Sequence, residues 1–468
     1  MDKITRNSLP GHYEGFSEPL YPNIIRRCQY IKGFDGTPIV LTLYLPARED
    51  GTQAEGKFPT IMVAVRDAHP DREKKNGVDT IDSCVPYGYA GAILQMRGCG
   101  ASYGTNNSFA SQENRRDVNA AIDWIISQDW SDGQAAICGG SNRGLIQFAS
   151  AVTRPAPSKG LKGITPIVAD ADFYYQDYPN GLSAIPMARV NNLSGSSAPL
   201  ERQLTKEEIV EKVGLTDEDP DGTRAYEAYL TGQYGKNKNF MSWLLLPNMC
   251  RDDGNPHFDG EKTNLTIPPI TDIDVFHKTD IRVHQFIGLH ESGTFGQLMA
   301  SKEWGGSVIL GPWAHRQCCR GTSNPEEPEA DFDGMTEHRK WFDNLLKQVD
   351  NGFDKRPPYY YYMHNAGEGQ RWRFSDTWPL ENIRHTKLYL TADKSGTSAS
   401  QNDGTLSLVC PQEQSAVDYK VDTSIEVFDN EDGNGFSFER MVLSWKGDME
   451  KGVDRKGLTF TSQPLFPR

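Results

Sequence analysis

The sequence has few cysteines and no arrangement of them that would hold a metal or a disulfide framework. Only 8 of the 468 residues are cysteine. None belongs to a CxxC pair or to a Cys/His cluster with the spacing of a zinc site. We therefore expect free thiols that behave as small apolar side chains, and we predict neither a metal nor an organic cofactor.

Long hydrophobic runs and an excess of positive charge are also missing. No stretch approaches the roughly eighteen apolar residues that a membrane-spanning helix needs, and the first residues, MDKITRNSLPGHYEGF, lack the apolar segment of a signal peptide. Lys and Arg number 49 against 63 Asp and Glu, a net charge of −14. Such an acidic surface disfavours nucleic acids and anionic membranes as partners. We therefore expect a cytoplasmic protein.

What the sequence does contain is an alternation of short apolar runs and helical segments. A hairpin pattern at residues 30–46 comes first. Strand-like runs follow at residues 60–65, 89–96, 135–138, 163–168, 281–287 and 307–310, and helical patterns at residues 113–128, 145–152, 297–303 and 337–349. This alternation predicts right-handed βαβ units and a mostly parallel sheet, so the fold class is α/β.

The pattern changes twice along the chain and predicts four segments. Residues 1–170 form the first part of an α/β core, and residues 171–265 form a helical insertion. The α/β pattern resumes over residues 266–375, the second part of the core. Residues 376–468 are rich in predicted strands and form a C-terminal β domain.

Residues 137–144, ICGGSNRG, place Ser141 on a tight turn between a strand and a helix. Glycines relieve the crowding of such a turn, which exposes the serine hydroxyl as a nucleophile elbow does. The closing glycine, Gly144, comes three residues after the serine rather than two. The alternative interpretation of these residues is therefore an ordinary glycine-rich turn.

Two further residues complete a serine, acid, histidine order along the chain. Glu291 follows the strand that ends at residue 287, and His315 follows the next strand in the segment GPWAH. The histidine would take the serine proton, and the carboxylate would orient the imidazole. Asp272, Asp274 and Asp280 compete for the acid role.

Six segments together resemble one group of α/β-hydrolases, the cocaine esterase and X-prolyl dipeptidyl aminopeptidase family. They are the hairpin at residues 34–46, RGCGASYG at 97–104, Asp117 with DWI at 123–125 and QDWSDG at 128–133, GGSNRG at 139–144, GPWAH at 311–315 and RKWFD at 339–343. The resemblance implies an α/β-hydrolase fold with a helical cap insertion and a C-terminal β jelly-roll domain. It also explains the late Gly144, and it implies structural roles for Arg97 and Asp117.

The chain departs from this family at two places. Asn142 follows the serine where the family has tyrosine, although its backbone N–H would still be one oxyanion donor. In the cocaine esterase branch of the family, a tyrosine hydroxyl after the first long strand is the second oxyanion donor. His69 is the nearest candidate for this role in the present chain. The C-terminal β domain is also expected to be short or truncated, and an open sheet edge favours a homo-oligomer.

These observations predict a serine hydrolase that cleaves a small-molecule ester or amide through an acyl-enzyme intermediate. A carboxylic ester is the favoured substrate, and Phe173, Tyr174 and Tyr175 either line its pocket or form the core of the cap. Two alternatives stay open. One is an X-Pro-type dipeptidyl aminopeptidase, and the other is a catalytically weakened homologue with a binding or scaffold role.

Overall fold

The computed structural model divides the chain into two compact units, Met1–Asp376 and Thr377–Arg468. It describes residues 6–65, 79–105, 111–172, 174, 204–233, 250–253, 269–291, 293–313, 328–330, 332–364, 366–420, 455 and 457–463.

The first unit begins with the hairpin that the sequence predicts. Strand β1, Asn23–Lys32, pairs antiparallel with β2, Pro38–Ala47. The turn between them contains Gly36 at a φ of 86°, which glycine adopts without steric cost. Every residue of β2 after Pro38 is buried, so β2 lies inside the sheet while β1 forms its edge.

Among the described residues, ten strands form the main sheet, in the order β1-β2-β4-β3-β5-β6-β7-β8-β9-β10. The strands after the hairpin are β3 (Phe58–Val65), β4 (Ala90–Gln95), β5 (Ser131–Gly140), β6 (Leu161–Ile167), β7 (Arg282–Gly288), β8 (Ser307–Gly311), β9 (Tyr359–Tyr362) and β10 (Trp372–Ser375). Strands β3 to β9 run parallel to one another. Their carboxyl ends therefore meet at one edge of the sheet. This arrangement confirms the predicted α/β fold.

Helices cover both faces of this sheet. The described helices of this unit are α1 (Asp79–Cys84), α2 (Gln112–Ile126), α3 (Asn142–Ala151), α4 (Lys206–Val213), α5 (Thr223–Ala228), α6 (Ile273–Phe276), α7 (Thr294–Trp304) and α8 (Gly334–Lys347). Apolar residues of α2, α3 and α7 share one buried cluster with the strands, and those of α1 and α8 share a second cluster. The sheet is thus the middle of three layers.

Short helical turns complete the first unit. Single 3-10 turns lie at Arg6–Ser8, Val85–Tyr87, Pro269–Asp272, Pro328–Ala330 and Phe353–Lys355. Among the described residues the longest helix is α2, with 15 residues. No described helix is long and apolar enough to cross a membrane.

The described part of the predicted insertion is helical. The Thr205 hydroxyl caps α4 by accepting a hydrogen bond from the backbone N–H of Glu208, and the Glu208 carboxylate accepts one from the backbone N–H of Thr205. After α5 the chain continues as a π-helix, Tyr229–Gln233. Tyr229 is buried with Leu204 and Ile209, so these helices share a small apolar core of their own.

Arg97 ties the glycine-rich loop after β4 to two other parts of the unit. Its Nε lies 2.8 Å from Oδ2 of Asp117 on α2, and its Nη2 lies 2.9 Å from Oδ1 of Asp35 in the hairpin turn. Arg97 and Asp117 are buried. A buried ion pair of this kind fixes the loop in one arrangement and is costly to break on one side only.

The second unit contains a three-stranded sheet. Its strands are β11 (Tyr389–Thr391), β12 (Asn402–Ser407) and β13 (Leu458–Ser462), in that order. Strand β11 pairs antiparallel with β12, and β12 pairs parallel with β13. A separate β-containing C-terminal unit is therefore confirmed. Its jelly-roll arrangement stays a prediction, because residues 421–454 lie outside the described residues.

Candidate active site

Ser141 lies where β5 ends and α3 begins, at the carboxyl edge of the parallel strands. Its backbone has φ 59° and ψ −126°, a left-handed conformation that non-glycine residues rarely adopt. The Ser141 N–H donates to the carbonyl of Ile167 in the neighbouring strand β6, over 2.9 Å. Its own carbonyl accepts from the N–H groups of Gly144 and Leu145. The strained turn is thus held on both sides.

The glycines around Ser141 are required by close packing. Gly139 has a φ of 130°, and a Cβ there would lie 2.8 Å from Cβ of Arg143. A Cβ on Gly144 would overlap Cβ of Ala169, in the loop after β6. Gly144, the closing glycine of the motif, is therefore the point at which α3 packs against the loop after β6.

Asn142 is the first residue of α3 and follows Ser141 directly. The backbone N–H groups of a first helical turn have no acceptor within their helix and carry the positive end of its dipole. The Asn142 N–H is therefore available for a negatively charged oxygen. The predicted second donor, His69, follows β3 and lies outside the described residues.

Glu291 lies in the loop between β7 and α7, also at the carboxyl edge. It is half-buried. The hydroxyl of Thr294 fixes this loop by donating to the backbone carbonyls of Gly288 and Glu291. A Cβ on Gly288 would lie 3.6 Å from Cβ of Glu291, so the loop folds back closely over the end of its strand.

The loop of Glu291 is joined to the segment that leads to His315. The N–H of Leu289 donates to the carbonyl of Gly311 over 2.8 Å, and the N–H of His290 donates to the carbonyl of Trp313 over 3.1 Å. Trp313 itself is buried and donates from its indole N–H to the carbonyl of Ala330. His315 lies outside the described residues, so its side chain stays a prediction.

The three competing aspartates precede β7 rather than follow it. Asp272 and Asp274 both bind Arg154, with N–O distances of 2.9 and 2.8 Å, and Asp280 comes just before the first residue of β7. Since Ser141 follows its strand, these aspartates lie toward the opposite edge of the parallel sheet. Glu291 is at the same edge as Ser141.

Of the predicted pocket aromatics, Tyr174 is described, whereas Phe173 and Tyr175 lie outside the described residues. The guanidinium of Arg251 lies over the Tyr174 ring, 4.6 Å from its centroid. Arg251 also makes a two-pronged ion pair with Asp172, at 2.9 and 2.7 Å. The beginning and the later part of the predicted insertion are therefore joined here.

Sequence reasoning missed Asp170, a buried carboxyl three residues after the end of β6. It is 3% exposed, and burial raises its pKa to about 8. One signal in the sequence could have identified it. Like Ser141 and Glu291, it is a polar residue that follows an apolar strand of the parallel sheet.

A second Ser–His–Glu arrangement lies inside the unit. The Oγ atom of Ser307 is 2.7 Å from Nδ1 of His284, whose Nε2 is 3.5 Å from Oε1 of Glu337. His284 and Glu337 are fully buried, and burial lowers the pKa of His284 well below its ordinary value. Glu337 also binds Lys340. The histidine and the carboxylate of this arrangement are enclosed in the interior, so it belongs to the packed core of the unit.

One group of side chains among the described residues has ligand atoms close enough for a metal ion. Cys250, Asp252 and Asp253 lie within 4.8 Å of one another, and all three are exposed. Asp253 already accepts a hydrogen bond from the backbone N–H of Cys250. This group is an ordinary exposed turn.

Two family models match the chain. The model of the X-Pro dipeptidyl-peptidase (S15 family) matches residues 35–317, more than half of the chain. The model of the X-Pro dipeptidyl-peptidase C-terminal non-catalytic domain matches residues 351–465.

Curated relatives are similar at low identity. A candidate serine esterase of Mycobacterium bovis is 24% identical over 427 residues, which cover 80% of this chain and 64% of that protein. Cocaine esterase of a Rhodococcus species is 23% identical over 409 residues, covering 83% of this chain and 66% of that protein. The chain thus spans just under two thirds of the length of these relatives.

Solved structures with the same fold include an aminopeptidase from a marine sediment archaeon, Thaumarchaeota archaeon. It is 16% identical, with a TM-score of 0.54, over 89% of this chain and 67% of that one. A CocE/NonD family hydrolase from Staphylococcus aureus is also 16% identical, with a TM-score of 0.53, over 79% of this chain and 59% of that one. These structures share the fold of the chain, and the family model that matches more than half of it shows that the chain belongs to the X-Pro dipeptidyl-peptidase (S15) family.

Proposed function

We propose that this chain hydrolyses a small carboxylic ester by acyl transfer from substrate to Ser141 and then to water. The observation that carries the proposal is the left-handed backbone of Ser141 at a strand-to-helix junction. Strained non-glycine residues cluster at functional sites, and a strained serine on a strand-to-helix turn is the geometry of a nucleophile elbow.

In this mechanism His315 removes the proton of the Ser141 hydroxyl and later gives it to the leaving group. Glu291 orients the imidazole and stabilises its positive charge. Two observations support Glu291 over the competing aspartates. It lies at the same sheet edge as Ser141, and its loop is hydrogen-bonded to the chain that leads to His315.

The oxyanion would form beside the first turn of α3. The Asn142 N–H is its first donor, and the helix dipole adds to the stabilisation. We assign His69 as the second donor, because it follows β3, the strand whose following loop supplies this donor in α/β-hydrolases. Losing one such donor costs about 3–4 kcal/mol of transition-state stabilisation. All of these groups belong to the protein, and the mechanism uses no cofactor.

The acyl or leaving group would contact Phe173, Tyr174 and Tyr175. Tyr174 supports this because it follows the loop that contacts the Ser141 turn and is only partly buried. Cocaine esterase is among the relatives, which favours an ester with an apolar part. A cytoplasmic location and a homo-oligomeric state remain predictions from the sequence.

A second candidate is an X-Pro dipeptidyl aminopeptidase, favoured by the description of the matching family model. It requires a free substrate amine to be recognised near Ser141. A third candidate is a catalytically weakened homologue with a binding or scaffold role. It is favoured by Asn142 and His69, which depart from the family pattern.

A substrate comparison separates these candidates. Purified protein is assayed with p-nitrophenyl acetate and p-nitrophenyl butyrate, and with Ala-Pro-p-nitroanilide in its free and N-acetylated forms. We expect ester hydrolysis that the Ser141→Ala variant lacks. Hydrolysis of the free dipeptide anilide alone would favour the aminopeptidase. No hydrolysis of any of the four would favour the weakened homologue.

A further inference from the structure

Asp170 is a buried carboxyl with one unused oxygen, placed between the two loops of the candidate active site. Its Oδ1 accepts from the backbone N–H of Asp172 over 2.8 Å. Its Oδ2 is buried and has no hydrogen-bond partner among the described residues. A Cβ on Gly296, in the first turn of α7, would overlap both carboxyl oxygens. The carboxyl therefore lies directly against the helix that follows Glu291.

Among the described residues, no cationic side chain binds the Oδ2 atom of Asp170. Arg251 has its guanidinium engaged with both oxygens of Asp172. Residues 294–297, the first turn of α7, contain no titratable side chain. An ionised carboxylate with an unpartnered buried oxygen is strongly disfavoured, whereas a protonated carboxyl is tolerated. Burial accordingly raises the pKa of Asp170 to about 8. The Asp172 carboxylate adds to the shift, and Arg251 opposes it.

The same loop is packed against the nucleophile turn. Ala169 contacts α3 where Gly144 lacks a side chain. The Ala169 N–H also donates to the side-chain oxygen of Gln297 on α7, over 3.2 Å. Residues 169 and 170 therefore connect the helix after Ser141 with the helix after Glu291.

We propose that Asp170 is a positioning residue that acts as an uncharged carboxyl, holding the loop behind the Ser141 turn against the helix after Glu291. This inference rests on the proposed hydrolase function of that site. Ionisation of Asp170 would place an uncompensated negative charge beside the turn. The charge would oppose the developing oxyanion. It would also separate α3 from α7, because an ionised carboxylate has to be hydrated.

A stability measurement tests the charge state without using activity. Asp170→Asn keeps the shape and stays neutral at every pH. In the unfolded wild-type chain the carboxyl ionises near its ordinary pKa of 3.8, but in the folded chain it ionises near pH 8. Wild type should therefore lose stability relative to D170N as pH rises from about 4 to about 8, and the difference should be constant above that.

A pH-independent difference in urea midpoint between wild type and D170N would overturn the proposal. Asp252→Asn, an exposed aspartate, is the matched control and should show no such trend.

An activity measurement tests the positioning role. If only the uncharged form supports the site, wild-type kcat/KM for p-nitrophenyl butyrate at pH 9 should be about one tenth of its plateau. In D170N this alkaline fall should be absent, while activity at pH 6.5 stays within a few-fold of wild type. An equal alkaline fall in both proteins would overturn the positioning role.

A second variant covers the case in which D170N does not fold. Asp172→Asn releases Arg251, which is then free to bind Asp170 and to favour its charged form. The alkaline fall should move to lower pH in D172N, and an unmoved fall contradicts the proposal. If wild type hydrolyses no ester at all, the proposed function fails, while the stability measurement still decides the charge state of Asp170.

Discussion

The backbone N–H of Ser141 and the carbonyl of Ile167 lie 2.9 Å apart, and this bond fixes the nucleophile turn to the neighbouring strand. This hydrogen bond stabilises the turn because the left-handed conformation of Ser141 costs about 1–3 kcal/mol, which surrounding contacts have to offset. Strand β6 thus holds the strained residue in place, and the loop after β6 continues the support through Ala169 and Asp170.

Gly144→Ala should destabilise the protein although alanine is the better helix former. The added methyl group would overlap Cβ of Ala169, and overpacking of this kind costs about 1–3 kcal/mol. Gly367→Ala is the matched control, since the nearest atom to a Cβ there is 3.9 Å away. Urea unfolding of both variants provides the comparison. Equal midpoints would show that the contact between α3 and the β6 loop is not tight.

Lys340→Met should lower the free energy of unfolding by about 3–5 kcal/mol, because it breaks a buried ion pair on one side. Nζ of Lys340 lies 2.9 Å from Oε2 of Glu337 and donates to the carbonyls of Asn7, Leu9 and His12. Both charged side chains are fully buried.

The matched control for Lys340 is Lys355→Met, which removes an exposed partner of Asp350. Exposed pairs of this kind contribute about 0–1 kcal/mol. Similar losses in the two variants, measured by chemical denaturation, would contradict the dominant role of the buried lysine.

His338→Gln should make stability less dependent on pH on the acid side. Burial lowers the pKa of His338 to about 4, against 6.5 in the unfolded chain. Between these values the unfolded state binds the extra proton, so wild-type stability falls as pH drops from about 6.5 to about 4. One such histidine contributes up to about 1.4 kcal/mol per pH unit.

The check is a series of urea unfolding curves between pH 4.5 and pH 7.5. The slope of the free energy of unfolding against pH should be smaller in H338Q, by an amount that corresponds to at most one bound proton. Some slope should remain, because burial also lowers the pKa of His284. Identical slopes in wild type and H338Q would show that the pKa of His338 does not differ between the folded and unfolded states.

Glu291→Gln should lower kcat by about 10³-fold or more, because a neutral amide favours the wrong histidine tautomer and cannot stabilise its charge. Asp280→Asn, which changes the competing acid just before β7, should leave kcat within about two-fold. Steady-state ester hydrolysis by both variants decides between them. Near-normal kcat in E291Q together with a collapse in D280N would transfer the role to the aspartate.

Much of the fold follows from local patterns in the sequence. The strand of residues 60–65 and the helix of residues 113–128 were predictable because apolar periodicity is set by which face of each element is buried. The turn at Ser141 was predictable for the same reason, since a strand pattern, glycines and a helix pattern meet there.

The remaining features depend on contacts between distant segments. Asp170 and Gly296 are 126 positions apart in the numbering, and nothing near either residue indicates that a carboxyl will be buried against a helix. The ion pair of Arg251 with Asp172 has the same origin. The sequence pattern predicts Glu291 as the acid from its position after a strand, but it could not show that Asp272 and Asp274 would be bound by Arg154.

The central claim is that Ser141 is the nucleophile, and active-site labelling tests it most directly. Purified protein is treated with a fluorophosphonate probe and examined by intact-mass and peptide mass spectrometry. We predict one probe adduct per chain, located on the peptide that contains Ser141, and no adduct in Ser141→Ala. An unlabelled wild-type protein beside a labelled control hydrolase, or undiminished labelling of S141A, would contradict the account.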